Sequence, residues 1–326
     1  MKVARYKRFQ MNKKTFGLIV LLLLVASFLG GSTAAQIKYL QKGSKGQGTP
    51  TQAVQPTQAP FVPKTKTAKP EVKFFVMSFC PYGNQAEAGL EPVYQLLKDK
   101  VTWTPQYIIS DQKASCEQNC PYRVYNDEAK TRCEEAVKQN QVKDLETCKG
   151  YFPYTSADEC LQKECAKLKA GEFESLHGQQ ELNQDIREIV AYNLAVESEP
   201  SVLGAASGEG ILSKWWKFIS LVNEKCTASN ADTCWKEQAT AAGLDTSKIS
   251  QAEKAQKTTL AQKENTAAQK YQVTGSPTVF INDTLYNGGR SPEDYKKAIC
   301  SAFENPPEEC GKILGQEGAS TSGGCN

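Results

Sequence analysis

Cys80 is the residue best placed to do chemistry in this sequence. It follows an apolar run of strand-forming residues, 72–79, and precedes Pro81 and a stretch, residues 84–98, whose apolar side chains recur at helical spacing. A thiol at that junction lies at a helix N-terminus, where unpaired backbone N–H groups and the helix dipole stabilise an anion. Such a thiol has a lowered pKa and attacks disulfides readily. The alternative is an inert buried cysteine or half of a scaffold disulfide.

A second motif, Thr-Gly-Ser-Pro-Thr at residues 274–278, carries Ser276 and Pro277 and opens an apolar run. A proline at the first residue of a strand removes one hydrogen-bond donor from the sheet. Alone, this motif is also consistent with an ordinary turn. In combination with Cys80, the motif is specific enough to indicate a protein family.

The elements around these two motifs follow an α/β order. Residues 101–109 predict a second strand, residues 277–281 and 284–286 predict a hairpin, and Ser-Pro-Glu at 291–293 begins a final helix. Residues 111–270 are mostly polar and helix-prone. The order β-α-β, helical insertion, β-β-α predicts a compact α/β domain with an inserted helical part.

These residues resemble the thioredoxin superfamily, and the long helical insertion resembles its DsbA-like branch. The resemblance implies an α/β, thioredoxin-like fold with a large disulfide-rich helical insertion. It also implies that Cys80 is the attacking thiol and that a cis-proline loop lies opposite it. The active-site loop and substrate groove would then be formed by Pro81, Tyr82, Gly83, Ser276 and Pro277.

Residues 175–182, Ser-Leu-His-Gly-Gln-Gln-Glu-Leu, resemble the Cys-Gln-His-Gly-x-x-Glu-Cys motif of the gamma-interferon-inducible lysosomal thiol reductase (GILT) family. His177, Gly178 and Glu181 match, which makes His177 and Glu181 accessory site residues. For His177 the alternative is a capping or packing role. The sequence departs from the motif where cysteines are expected, at Ser175, Leu182 and Val190, and it has Asp185 in place of the motif's Asn.

Gly83 occupies the position of the second cysteine in a Cys-x-x-Cys motif. That cysteine normally resolves the mixed disulfide, so the sequence predicts a monothiol site. Three alternatives follow. A small thiol or a partner protein resolves Cys80, another cysteine of the chain resolves it, or redox cycling is lost and the groove only binds polypeptide.

Eleven further cysteines are present. Spacing predicts a local disulfide between Cys226 and Cys234 and another between Cys300 and Cys310. Six more are expected to pair among themselves, in one of 15 connectivities; they are Cys116, Cys120, Cys133, Cys148, Cys160 and Cys165. Zinc binding is the alternative for the closely spaced ones. Cys325 remains, as a free thiol, an intermolecular link or a resolving thiol on a flexible arm.

The 326-residue chain has a basic N-terminal part and an acidic remainder. Residues 1–70 hold 12 Lys and Arg and no acid, whereas the rest holds 27 Lys and Arg against 36 Asp and Glu, a net charge of −9. Residues 1–40 predict a signal peptide or membrane anchor, because an uncharged stretch at residues 15–37 is long enough to span a bilayer. Residues 41–70 predict a disordered linker, residues 71–310 the thioredoxin-like domain and residues 311–326 a disordered tail.

The sequence therefore predicts an extracytoplasmic thiol–disulfide oxidoreductase, anchored by its N-terminus or secreted. Its partners would be disulfide-containing proteins and a resolving thiol or redox protein, with no cofactor, no metal and no nucleic acid. A redox-inactive module that binds cysteine-rich clients is the alternative. A purely structural disulfide-rich surface protein is the third hypothesis.

Overall fold

The computed structural model describes residues 60–197, 212–315 and 325. The predicted leader or anchor, residues 1–40, and most of the predicted linker, residues 41–70, lie outside these ranges. Within the described ranges, no helix has both the length and the apolar character needed to cross a membrane.

A four-stranded sheet has the order β2-β1-β5-β6. Strand β1 (Glu71–Val76) runs parallel to β2 (Thr102–Tyr107) and antiparallel to β5 (Thr278–Ile281), which pairs with β6 (Thr284–Tyr286). Helix α1 (Pro81–Leu97) connects the two parallel strands. A β-α-β unit joined to a β-hairpin in this order is thioredoxin-like, so the predicted fold class is confirmed.

The remaining helices, except the last, lie in the chain between β2 and β5. A short strand β3 (Ser110–Asp111) pairs with β4 (Phe173–Glu174). The helices are α2 (Gln112–Asn119), α3 (Asp127–Lys138), α4 (Leu145–Lys149), α5 (Ala157–Lys163), α6 (Gln179–Glu197), α7 (Ser213–Lys225), α8 (Ala231–Ala241), α9 (Thr246–Lys270) and α10 (Pro292–Ser301). Short 3₁₀ turns cover Lys98–Lys100, Cys120–Arg123, Cys165–Lys167 and Glu308–Gly311.

Strand β1 ends at Val76, three residues before the predicted end. The N–H groups of the next three residues bond to side chains instead of a neighbouring strand, because Met77 donates to Ser276 and the two after it donate to carboxylates of α6. Helix α1 begins at Pro81, earlier than predicted. These side-chain bonds and the early helix start fix the turn that carries Cys80.

The final helix begins where the sequence predicts. The Ser291 hydroxyl accepts a hydrogen bond from the Asp294 N–H, and the Asp294 carboxylate accepts one from the Ser291 N–H, which forms a capping box. Pro292 occupies the first helical turn. Local sequence therefore sets the start of this helix.

Aromatic side chains form the centre of the core. The Phe74 ring stacks on Trp216 with 5.7 Å between centroids, and Trp216 meets Trp215 edge-on at 4.8 Å. Tyr94 and Trp103 complete the cluster. Strand β1 and helices α1, α6 and α7 contribute to this core, so the elements next to Cys80 are fixed by large buried side chains.

Part of the segment expected to be a linker contacts the domain. Phe61 packs edge-on against Tyr286, with ring centroids 5.5 Å apart. Thr67 forms a bridge to Phe303, and its N–H donates to the Ala302 carbonyl at 3.0 Å. Residues 60–70 thus lie along the folded domain.

Six disulfides join all twelve cysteines. Five of them are Cys116–Cys165, Cys120–Cys160, Cys133–Cys148, Cys226–Cys234 and Cys300–Cys310. The cysteines for which zinc was the alternative are therefore bonded to one another as disulfides. The sixth disulfide belongs to the candidate site.

The described residues divide into two compact units. One comprises residues 120–160 and the other comprises residues 60–119, 161–197, 212–315 and 325. The buried apolar residues of the first are mainly its four cysteines, with Ala129 and Tyr154. So small a core needs covalent cross-links, and this unit has two.

Removal of both cross-links, by changing Cys120, Cys133, Cys148 and Cys160 to alanine, will unfold residues 120–160. The two disulfides span 40 and 15 residues, and each contributes about 3–4 kcal/mol in the chain-entropy model. Hydrogen exchange of peptides from this unit will show lost protection. The matched control, Cys300→Ala with Cys310→Ala, will leave that protection intact. Retained protection in the fourfold variant would contradict this account.

Candidate active site

Cys80 caps the N-terminus of α1. Its backbone is extended, with φ −76° and ψ 116°, and its Sγ accepts a hydrogen bond from the Gly83 N–H at 3.4 Å. Pro81 occupies the first helical turn, where a missing N–H costs no hydrogen bond. The side chain of Cys80 is fully buried. A helix-terminal N–H group thus already points at this sulfur, an arrangement that stabilises a thiolate.

Cys80 is bonded to Cys325, which lies 245 residues away in the sequence. The Ser276 N–H donates to the Cys325 carbonyl at 2.7 Å, and the Cys325 N–H donates to the Ser276 carbonyl at 2.8 Å. These two bonds form an antiparallel β-bridge. The structure therefore joins the predicted nucleophile, the predicted loop and the cysteine that local pairing left over.

The loop before β5 is fixed against the turn that carries Cys80. The Ser276–Pro277 peptide bond is cis, and Ser276 is fully buried. The Ser276 Oγ accepts a hydrogen bond from the Met77 N–H at 3.2 Å. The Cys80 Sγ lies 3.6 Å from the Ser276 carbonyl oxygen. The cysteine and the loop therefore lie in contact in one site.

Gly83 lies against the same loop. A β-carbon at this position would be 2.7 Å from the Ser276 Oγ and 3.3 Å from the Met77 carbonyl oxygen. Space, rather than backbone conformation, therefore accounts for the glycine. The neighbouring Tyr82 ring has the Arg290 guanidinium 5.9 Å from its centroid.

The change Gly83→Ala will lower the free energy of unfolding by about 1–3 kcal/mol. The added β-carbon will displace the Ser276 hydroxyl from the Met77 N–H. Urea unfolding measures this effect. Gly311→Ala is the matched control because no atom lies within 4 Å of a β-carbon there. Equal stability of the two variants would show that the site tolerates a side chain at residue 83.

Glu181, on α6, holds the turn before Cys80. Its carboxylate is fully buried and accepts a hydrogen bond from the Phe79 N–H at 2.9 Å. It also accepts bonds from the Ser175 hydroxyl at 2.8 Å and from both the N–H and the Nδ1 of His177, at 2.8 and 2.7 Å. His177 therefore acts on this site through Glu181.

The two partners shift each other's pKa. The hydrogen bond to Glu181 raises the pKa of His177 above its usual 6.5. Burial raises the pKa of Glu181, but the hydrogen bonds from His177 and Ser175 outweigh burial and leave the pKa below its usual 4.5. Glu181 is thus an ionised acceptor at neutral pH.

Asp185, one helical turn further along α6, binds the neighbouring residue. Its Oδ1 accepts hydrogen bonds from the Ser78 N–H at 3.0 Å and from the Ser78 hydroxyl at 2.6 Å. Burial, and then the negative charge of Glu181, raise the pKa of Asp185 well above its usual 3.8. Glu181 and Asp185 together bond the two backbone N–H groups that immediately precede Cys80.

Further acids extend this network into the core. Gln184 donates to Glu188 at 2.8 Å, and burial raises the pKa of Glu188 to about 7. The sequence alone does not predict a site role for Asp185 or Glu188. The one sequence feature that could have identified them is the spacing of the acidic residues 181, 185 and 188, which places them on one face of a helix. Polar residues on a solvent-exposed helix face have the same spacing, so these acids cannot be identified as site residues until the buried face of the helix is known.

A protein family and solved structures of other proteins are similar to the chain. The family described as "Vacuolar sorting receptor thioredoxin-like domain" matches residues 147–300. No curated protein is significantly similar. Solved structures of a disulfide bond oxidoreductase, DsbG, and of DsbA, both reduced and both from Mycobacterium tuberculosis, are each 14% identical with TM-scores of 0.39. The match to DsbG covers 78% of this chain and 88% of that one, and the match to DsbA covers 78% and 93%.

Proposed function

We propose that this thioredoxin-like protein carries out thiol–disulfide exchange with client proteins, with Cys80 as the nucleophile. One observation carries the proposal: Cys80 caps a helix, lies against the Ser276 loop and is bonded to Cys325 there. A scaffold disulfide would need neither the helix N-terminus nor the loop. The helix N-terminus stabilises the thiolate that each exchange step releases.

The reaction begins from the Cys80–Cys325 disulfide. Cys80 is fully buried in this disulfide, so Cys325 has to shift before a client can reach it. A client thiolate then attacks the Cys80 Sγ, a client–Cys80 disulfide forms, and Cys325 leaves as a thiolate that takes a proton from water. A second client thiolate then attacks the client sulfur and releases Cys80 as a thiolate. Two client thiols become a disulfide and the protein's disulfide becomes two thiols, so electrons balance without a cofactor.

The monothiol character of the helix N-terminus remains part of the proposal. Gly83 supplies no thiol there, and the second sulfur comes instead from Cys325. The same two cysteines also support the reverse reaction. Cys80 attacks a client disulfide, and Cys325 then attacks the Cys80 sulfur of the mixed disulfide and releases the reduced client. A separate thiol or redox partner would be needed only to recycle the pair.

Two features support kinship to the GILT family and an extracytoplasmic location. The matching residues His177 and Glu181 contact each other and hold the turn before Cys80. Twelve cysteines in disulfides, behind a basic leader and an apolar stretch, favour an oxidising compartment. Membrane attachment through residues 1–40 is part of the same proposal.

Single-turnover exchange tests the function. The oxidised full chain is mixed with a reduced peptide that carries two cysteines, and mass spectrometry follows both partners. We expect one peptide disulfide to form for each Cys80–Cys325 disulfide that opens, while the other five stay intact. A peptide that stays reduced beside an intact Cys80–Cys325 disulfide would favour the redox-inactive binding module.

A further inference from the structure

We propose that Cys325 is an internal substrate mimic: it occupies the place of a client cysteine, and clients with an apolar residue beside their cysteine displace it. This inference rests on the exchange function proposed above. Cys325 and a client cysteine would compete for the same place beside Cys80, and clients with an apolar neighbour would be preferred.

The main-chain contacts of Cys325 are those of a bound strand. Both the N–H and the carbonyl of Cys325 pair with Ser276, at 2.8 and 2.7 Å. These contacts use no side chain other than the sulfur itself, so any extended polypeptide with a cysteine can make them. Ser276 offers one N–H and one carbonyl in this bridge, so a client strand and Cys325 cannot pair with it together.

A cavity of about 360 Å³ opens beside Cys325. Its lining combines the apolar side chains of Met77, Ile108, Leu176 and Val273 with several polar ones, and the apolar ones are those that a client side chain could cover. Leu176 is 52% exposed, so this part of the lining is open to a client side chain. The cavity therefore suits an apolar side chain next to the sulfur that is bonded to Cys80.

The chain's own sequence does not supply such a side chain before Cys325. Residues 323 and 324 are both glycine. A client with leucine next to its cysteine would bury apolar surface in this cavity, which a glycine cannot do. Such a client would thus make a more favourable apolar contact than Cys325 makes. Cys325 has the opposing advantage of belonging to the same molecule, which raises its effective concentration.

The Cys325→Ser chain tests the preference because its Cys80 is a permanent free thiol. Cys80 is offered Leu-Cys-Leu and Gly-Cys-Gly peptides, each activated as a mixed disulfide with thionitrobenzoate, and the small disulfide 5,5′-dithiobis(2-nitrobenzoate). We expect the leucine peptide to react roughly ten-fold faster than the glycine peptide, as one buried side chain implies. Leu176→Asp will remove this ratio. Leu285→Asp, at another exposed leucine, will keep it.

The wild-type oxidised chain tests the competition. Its Cys80–Cys325 disulfide is opened with the same two peptides in reduced form. Because Cys325 already pairs with Ser276, we expect both peptides to open the disulfide at equal initial rates. At equilibrium we expect the leucine peptide to hold roughly ten-fold more of Cys80 as a mixed disulfide than the glycine peptide holds. A ten-fold advantage in the initial rate with the oxidised chain, equal displacement by the two peptides at equilibrium, or equal rates for both activated peptides in the Cys325→Ser chain would overturn the inference. Failure of Cys80 to react even with the small disulfide would instead overturn the proposed function.

Discussion

Replacement of Cys80 by serine will abolish exchange with any external disulfide or dithiol. Serine keeps the helix cap, because its hydroxyl can accept the Gly83 N–H bond that the sulfur now accepts. It cannot form a disulfide, so both the resting bond to Cys325 and the mixed disulfide with a client are lost. The measurement is peptide oxidation in single turnover, which we expect to fall to the rate without protein.

The matched control removes a different disulfide. Cys226→Ala with Cys234→Ala opens a bond that spans eight residues at the end of α7. This variant will keep wild-type exchange, because neither cysteine contacts the candidate site. Residual exchange in Cys80→Ser that exceeds the background would assign the chemistry to another cysteine, and mass spectrometry of the trapped mixed disulfide would identify it.

Replacement of Glu181 by glutamine will have the second large effect. The carboxylate accepts four hydrogen bonds in a fully buried position, and the amide nitrogen of glutamine would face two of the donors. Loss of charged, buried hydrogen bonds of this kind costs about 3–5 kcal/mol. We expect the free energy of unfolding to fall by this amount and Cys80 to react more slowly, because the Phe79 N–H loses its anchor.

The chain has a single histidine, so proton NMR of its imidazole reports the same contact directly. The pKa of His177 lies above 6.5 because of Glu181, and in Glu181→Gln it will fall. The raised pKa also sets how stability depends on pH: the contribution of His177 to the free energy of unfolding is complete below pH 6.5 and is lost as the pH rises through the raised pKa. The Glu181 contribution is complete above pH 4.5 and is lost as the pH falls through the lowered pKa.

Asp185→Asn is the matched control for the charge. The carboxyl of Asp185 holds its proton far above pH 3.8, so a neutral amide of the same shape replaces a group that is already neutral. We expect its stability at acidic pH to lie within about 1 kcal/mol of wild type. A raised carboxyl pKa costs stability as the pH rises, so the variant will gain relative to wild type towards alkaline pH. Equal losses in Glu181→Gln and Asp185→Asn would contradict the assignment of an ionised Glu181.

The sequence was sufficient for those parts of the site that depend on local order. Cys80 between an apolar run and a helix, Pro81 in the first turn, and the loop at Ser276 before a hairpin are all short-range patterns. The same holds for the capped final helix at Ser291. Backbone propensities and capping act over a few residues, so these features can be predicted from a few residues.

The rest depends on contacts between distant segments. Cys325 reaches Cys80 across 245 residues, and the sequence left three alternatives for it: a free thiol, an intermolecular link and a resolving thiol. The role of Glu181 depends on which face of α6 is buried, and tertiary packing decides that. Strand β1 ends early for the same reason: the α6 carboxylates and Ser276 bind the N–H groups that a longer strand would use.

The most direct test of Cys80 as an activated nucleophile is its alkylation by iodoacetamide across pH, read by peptide mass spectrometry in the Cys325→Ser chain. We predict that the rate reaches half its maximum well below pH ~8.5, the pKa of an ordinary thiol. Cys80 of the oxidised wild-type chain will stay unlabelled at every pH because it is bonded to Cys325. A half-maximal rate at or above pH ~8.5 in the variant would contradict the account, since it would mean that the helix N-terminus does not stabilise the thiolate.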